Sequence, residues 1–321
     1  MPAIRPFLID TDGAADDLIA LMIAMNASDV SVEAITVVSG AVPANQGVQN
    51  VLYLLDAINR SIPVHSGRQT PLFGDLRDAS EIVGKDGLGD IGLPLIGRVG
   101  HPEPAADVIR EKIKEFPNAL TIVCLGPLTN LAIALATEPQ LASKIGRLIV
   151  MGGSADGVGN ITAAAEYNLY ADPEAADIVF RSGAQIELVG WDLSRSEACS
   201  VSPQDLEAIH SIGTPLARFS VAILDGLRRF LATVNVDGKI DFPDPLAMAV
   251  AVQPSIATGW ARRHVTVVTG PGPARGATVV DHLGAHHEEP NVSLVASANK
   301  ETMLGLVQEA VRNIDARNLP F

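Results

Sequence analysis

The sequence predicts an α/β protein of one domain spanning residues 1–321, with a mostly parallel central sheet flanked by helices. Three observations carry that expectation. Across the first 65 residues, short apolar or β-branched runs alternate with segments of helical spacing, the order that builds parallel strands joined by crossover helices. The chain of 321 residues, 47% hydrophobic and 19% charged, has the composition of a well-packed globule with a sizeable core. No internal repeat, low-complexity tract or linker divides it.

Taken in order, residues 6–9 read as a buried strand and 18–25 as a helix, so residues 10–17 form a strand-to-helix turn. That turn lies at the carboxyl end of a strand, where ligands of parallel sheets bind. Residues 32–38 predict a second strand ending at Ser39-Gly40, and Val48, Val51, Leu52, Leu55 and Ile58 mark a helix over 45–58. A short strand at 63–65 follows. From 67 to 100 the pattern lapses into glycine, proline and charge. No strand directly precedes the glycines of Val83-Gly84-Lys85-Asp86-Gly87-Leu88-Gly89-Asp90 and no Lys-Ser or Lys-Thr follows, so a mobile flap is expected there rather than a phosphate loop.

Order returns with a helix over 104–115, a strand over 120–125 and a helix start at Gly126-Pro127-Leu128-Thr129-Asn130, where proline's missing N–H is not needed. The Leu125 carbonyl, at a strand end with no assured partner, is then free to ligate a cation. Next come a strand at 148–151, a glycine turn at Gly152-Gly153, a polar loop over 159–168, a helix opened by Asp172-Pro173-Glu174, and a strand at 186–189. The chain is then mostly helical to about 251, broken by a loop over 233–244 that holds Asp237, Asp241 and Asp244 ahead of a helix at 246–252. Strands at 265–268, 278–280 and 292–295 precede a terminal helix over 301–314.

The turn at 10–17 concentrates four carboxylates, Asp10, Asp12, Asp16 and Asp17, within eight residues. Side chains two apart on a strand share a face, so Asp10 and Asp12 point together, while Asp16 and Asp17 sit in a helix's first turn beside its positive end. One or two such acids would be ordinary helix caps. Four repel one another, and a hard divalent cation such as Ca²⁺ or Mg²⁺ is the partner that carboxylate oxygens select.

The net charge of −14 argues against a nucleic-acid backbone or an anionic membrane as partner and favours a small neutral or metal-assisted substrate. No signal pattern opens the sequence and no apolar run reaches ~18 residues, so the cytoplasm is the expected location. Cys124 and Cys199 read as reduced thiols in or near the core. His282, His286 and His287, beside Glu288 and Glu289, match no metal motif and read as a solvated loop, and His101 as structural. Arg228, Arg229 and Lys239 read as solvated charges within reach of a ligand, and Trp191 as packing near the sheet end.

These segments resemble the inosine-uridine preferring nucleoside hydrolase family. IDTDGAADD is similar to its DTDPGxDD, IVCLGPLTNLA to its metal-loop helix start, GNITAAAEYN with ADPEAA to its substrate segment, and FPDPLA and RGATVVD to its later segments. The resemblance covers essentially the whole chain and implies a Rossmann-like nucleoside hydrolase fold with the site at the carboxyl ends of the strands. It implies hydrolysis of a ribonucleoside to ribose and free base by a Ca²⁺-bound water, through an oxocarbenium-like transition state. It further implies Asp12, Asp17, the Leu125 carbonyl and Asp244 as Ca²⁺ ligands, and Asp16 as general base. Asn160, Glu166 and Asn168, with Asp16 and Asp244, would bind the ribose, and Asp10 would stand behind the metal ligands. A homo-oligomer, dimer or tetramer, is implied as well.

The sequence departs from the family at Gly13-Ala14 in place of Pro-Gly, at Ala41 in place of Asn, and at Val83 and Pro243, where some relatives carry histidine. Protonation of a departing base by histidine at those places is thereby removed. Two competing readings follow: an altered relative that acts on, or only binds, another ribosyl compound, and a haloacid-dehalogenase-type phosphatase resembled by Asp10-Thr11-Asp12-Gly13. Ala14 departs from the phosphatase pattern, which also leaves GPLTN and GNITAAAEYN unexplained.

Overall fold

Phe7, Leu8 and Ile9 are all fully buried, an apolar run without polar alternation because both faces of its strand are covered. Phe7 and Ile9 enter the core on one face of the sheet, and Leu8 the core on the other. The same alternation divides Val123 and Leu125 from Ile122 and Cys124, and Ile149 and Met151 from Leu148 and Val150. A computed structural model describes residues 3–234, 238–285, 287–317 and 319–321, so Asp237 and His286 lie outside the described residues.

The strands are β1 (Arg5–Thr11), β2 (Val30–Val37), β3 (Val64–Ser66), β4 (Thr121–Cys124), β5 (Arg147–Met151), β6 (Ile186–Val189), β7 (Ala257–Val267), β8 (Thr278–Asp281) and β9 (Val292–Ala298). They form one nine-stranded sheet in the order β3-β2-β1-β4-β5-β6-β9-β7-β8. From β3 to β9 all neighbours are parallel; β7 runs antiparallel on β9, and β8 antiparallel on β7. The succession reverses direction between β1 and β4, which opens the ligand crevice of a doubly wound sheet at their carboxyl ends. The predicted fold class is therefore the observed one.

Several element ends differ from expectation. β7 begins at Ala257, eight residues before the predicted 265, because its first half carries exposed Thr258 and Trp260 and lacks a continuous apolar signal. A helix Tyr167–Ala171 begins within the last two residues of the predicted polar loop and runs past it, and a helical turn Ser80–Val83 lies inside the predicted flap. The helix Asp225–Val234 enters the predicted loop at 233–244. The next helix starts at Pro243 rather than 246, since prolines are accepted in a first turn, and this moves Asp244 from a loop into a helix. Cys124 and Cys199 are buried and unpaired, as expected.

The turn after β1 is fixed by two glycines. Gly13 adopts φ +76°, and a Cβ there would stand 2.7 Å from the Gly47 carbonyl oxygen; a Cβ on Gly47 would stand 2.2 Å from that of Asp12. The helix Ala44–Ala57 thus begins in backbone contact with the acidic turn. From the same helix, Asn50 Nδ2 donates to the carbonyls of Gly13 and Asp86, both at 2.8 Å, so the 67–100 segment is tied to that turn. Gly47→Ala is expected to destabilise the fold by about 2–3 kcal/mol, since the added methyl meets backbone on a buried face. Urea unfolding checks this, and an unchanged midpoint would show that the contact relaxes freely.

Candidate active site

Three elements deliver the acidic cluster. Asp12 follows β1, Asp16 and Asp17 lie in the first turn of the helix Ala15–Asn26, and Asp244 lies in the first turn of the helix Pro243–Val252. Both helices are buried over most of their length and pack on each other, so two positive helix ends converge beside the carboxyl end of β1. One carboxylate oxygen each of Asp16, Asp17 and Asp244 lies within 4.8 Å of the other two. Asp12 Oδ2 accepts the Ala41 N–H at 2.7 Å and its Oδ1 the Ala14 N–H at 3.3 Å. Asp17 Oδ2 also accepts the Ala14 N–H, at 3.1 Å, and its Oδ1 accepts the Thr11 hydroxyl.

Burial raises the pKa of every one of these acids, and like charge adds to it at Asp16, Asp17 and Asp244. Asp16 is pushed up to about 7, first by desolvation and then by the charge of Asp12. Asp17 and Asp244 stand well above the ordinary carboxylate range through burial and their acidic neighbours, and Asp12 is raised by burial against the hydrogen bonds it accepts. A donor set of clustered carboxylates whose charged forms are this disfavoured fits a hard divalent cation.

Asp10 stands apart from that trio. It is fully buried on β1, with Oδ1 accepting the Thr36 hydroxyl at 2.6 Å and Asn130 Nδ2 at 2.8 Å, and burial pushes it up to about 7. The strand ends at Thr11, so the shared face expected for Asp10 and Asp12 is interrupted by the turn. Leu125 corrects a second expectation. Its carbonyl is not without a partner, because Asn168 Nδ2 donates to it at 2.8 Å.

The cluster opens into a cavity of about 460 Å³, a size suited to a small organic ligand. Asp12, Asp16, Asp17, Leu125, Asn160, Glu166, Asn168 and Asp244 all line it. Glu166 caps the helix Tyr167–Ala171, with its carboxylate accepting the N–H groups of Gly153, Asn168 and Leu169 at 2.8, 2.9 and 3.2 Å. Burial still pushes it up to about 7. Asn160 is exposed, and its Oδ1 accepts the Tyr167 N–H at 2.8 Å.

Much of the remaining lining is apolar. Ile82 and Val83 come from the 67–100 segment, and Leu227, Phe230 and Leu231 from the helix Asp225–Val234, with Trp191 and Tyr167 beside them. Trp191 stands just past β6 and packs against the core, as expected of a sheet-end residue, and it also lines the cavity, where its Nε1 donates to Asp241 Oδ2 at 2.8 Å. Burial raises the Asp241 carboxyl. The spacing 227, 230, 231 is the helical-face signal that identifies this wall in hindsight; the contributions of Trp191 and Ile82 leave no local mark. Arg228 and Arg229 pair with Asp225, and Lys239 with Glu197; these cations are not among the lining residues. His282, His287, Glu288 and Glu289 are exposed, as expected of a solvated loop.

A doubly wound sheet with metal-competent carboxylates at its switch point, open to a cavity of this size, defines with its relatives a class: hydrolases acting on N-glycosyl bonds. The chain belongs to the inosine-uridine preferring nucleoside hydrolase family, whose description matches residues 7–305. It is 34% identical over 310 residues to the pyrimidine-specific ribonucleoside hydrolase RihA of Klebsiella pneumoniae subsp. pneumoniae, covering 95% of this chain and 97% of that protein. Its structure is similar to a plant nucleoside hydrolase, PpNRh1, with a TM-score of 0.89 and 32% identity over 96% of this chain and 99% of that one. It is also similar to the purine-preferring ribonucleoside hydrolase of Gardnerella vaginalis, with a TM-score of 0.88 and 27% identity over 97% and 99% of the two chains. The resemblance to phosphatases at Asp10-Thr11-Asp12-Gly13 is thereby set aside.

The raised carboxylates fix the sign of a pH effect. Their contribution to stability is fully present below the unfolded pKa of ~4 and is lost as pH rises toward the folded values, about 7 for Asp10, Asp16 and Glu166. Protons and a cation compete for the same oxygens. The rise in thermal midpoint on adding Ca²⁺ to chelator-treated protein is therefore expected to be small at pH 5 and larger at pH 8. A rise independent of pH would detach ion binding from these acids.

Proposed function

We propose that this chain hydrolyses the N-glycosidic bond of a ribonucleoside to ribose and free base, with Asp16 as general base. The observation that carries this reading is the gathering of Asp16, Asp17 and Asp244 in a cavity much of whose remaining lining is apolar. Asp12, Asp17, Asp244 and the Leu125 carbonyl would hold a Ca²⁺ ion; the carbonyl has a second lone pair beside its bond to Asn168. When bound, that ion would lower the pKa of a water in the cavity and orient sugar hydroxyls.

The chain's own residues supply the rest. Asp16 is half-buried and pushed up to about 7, so it takes a proton from water near neutral pH. Carboxylates crowded around the anomeric carbon stabilise the positive charge that develops as the C–N bond lengthens. Asn160, Glu166 and Asn168 would pair with ribose hydroxyls, Glu166 already being held by three backbone N–H groups. Asp10 positions the floor through Thr36 and Asn130. A planar base would lie against Ile82, Val83, Phe230 and Trp191. No histidine stands among the described lining residues, so protonation of a departing base falls to Asp241, anchored by Trp191.

We read residues 1–321 as one unit of this fold. We further propose a homo-dimer or tetramer, which the family resemblance implies, and a cytoplasmic location.

Release of free ribose from a panel of purine and pyrimidine nucleosides, with and without chelator, tests the reading. Chelator-sensitive release is expected, and no release from any ribonucleoside by Ca²⁺-loaded protein would overturn it. Asp16→Ala is expected to lower kcat by ~10²–10⁴ with a near-parental thermal midpoint, whereas Asp17→Ala loses Ca²⁺ as well. Asp241→Asn keeps an acceptor for Trp191 and is expected to slow nucleosides while sparing p-nitrophenyl riboside, whose leaving group needs no proton. Equal losses on both substrates would remove Asp241 from the role of acid.

A further inference from the structure

The segment 67–100 leaves the sheet directly after β3 and returns to it at His101. The His101 N–H donates to the Val64 carbonyl at 2.7 Å, and His101 pairs with His65 in an isolated parallel bridge. Both ends of the excursion therefore meet at one neck on the edge strand. Three side chains able to bind metal stand there: His65, His101 and Glu103 each offer one ligand atom, all within 4.8 Å of one another.

The three differ in how they are held. His65 is 5% exposed, and its Nδ1 lies 3.1 Å from the Glu103 carbonyl oxygen and 3.5 Å from Glu103 Oε2. A carbonyl only accepts, so Nδ1 carries the proton in that bond and Nε2 keeps its lone pair. Such a bond from one ring nitrogen to a backbone carbonyl commonly orients a histidine that ligates through the other. The His65 and His101 rings are 5.2 Å apart between centroids. His101 and Glu103 are exposed, so the group is reached from solvent and two of its three members are free to turn. Burial lowers the His65 pKa and favours the neutral ring that metals bind; the charge of Lys112 acts in the same direction and is itself engaged by Glu115 at 2.8 Å.

We propose that His65, His101 and Glu103 form a second metal site, taking a first-row divalent transition ion of the Zn²⁺ type, that clasps the neck of the 67–100 segment. Two imidazoles and one carboxylate suit Zn²⁺ and disfavour Ca²⁺, the reverse of the all-oxygen cluster after β1. The sites are separate, because β2 lies between β3 and β1. Cross-linking the neck removes open conformations of the excursion that ends there. That excursion carries Ile82 and Val83 to the cavity wall, so the ion would restrain the wall without touching a ligand in the cavity.

The test uses the tag-free full chain saturated with Ca²⁺, titrated calorimetrically with Zn²⁺, with Co²⁺ absorption as the report on coordination. One equivalent of Zn²⁺ and a visible Co²⁺ band are expected. In His101→Ala and Glu103→Gln, both at exposed positions, Zn²⁺ affinity should fall at least ~tenfold, and in His101→Ala the Co²⁺ band should disappear. Zn²⁺ should slow proteolysis within 67–100 in the parent and have no such effect in His101→Ala. Equal Zn²⁺ stoichiometry and affinity in parent and His101→Ala, or no binding by the parent, would overturn the site. None of these three readouts involves nucleoside hydrolysis, so the outcome is independent of the activity proposed above.

Discussion

Repulsion among carboxylates in a dry corner of the sheet sets the terms for everything around it. At separations of 4.8 Å or less, two unit charges oppose each other by at least about 3 kcal/mol at an effective dielectric of 20. A helix terminus returns about 0.3–1 kcal/mol, and up to ~2 when partly buried. Two converging helix starts therefore soften the cluster without neutralising it. Protons can complete the compensation in acid, and a hard cation can do so at neutral pH, which is why burial-raised acids and metal competence are one observation seen from two sides.

The rest of the site is arranged to hold those acids where they repel. The Ala41 and Ala14 N–H groups and the Thr11 hydroxyl aim at Asp12 and Asp17. Gly13 and Gly47 allow the helix Ala44–Ala57 to press against the turn, and Asn50 binds that turn to the 67–100 segment. Across the switch point, Asn168 reaches back to Leu125, linking the helix capped by Glu166 to the end of β4. The Ala14 and Thr11 contacts are local, but those of Ala41, Asn50 and Asn168 join residues distant in sequence, so the geometry of the acids depends on the carboxyl side of the sheet as well as on the acidic stretch.

Much of the fold was legible because its strands are covered on both faces. Runs such as Phe7-Leu8-Ile9 and Ile122-Val123-Cys124 carry their signal in every residue. β7 did not, since half of an outer strand faces water and reads as polar. The acids at 12, 16 and 17 were visible as a cluster, and Asp244 as an isolated acid, but its place in a first helical turn was obscured by the prolines around it. The Leu125 carbonyl was identified by position alone, and its bond to Asn168 could not be read from two segments 43 residues apart. Ile82 and Phe230 lie in the segments 76–95 and 225–243, where contact with a base is expected from the sequence, but that they and Trp191 become neighbours emerges only through the fold.

The division of the cavity into two materials has an evolutionary consequence. The acidic floor is built on the sheet and on buried helix starts, where almost any substitution disturbs packing. The apolar wall comes from a segment outside the sheet and from one amphipathic helix. Substitutions in the wall can therefore change the apolar surface of the cavity while leaving the acids and their supports in place. Relatives named for opposite base preferences, pyrimidine in one and purine in another, share this one scaffold. Such an architecture lets the apolar surface vary independently of the acids.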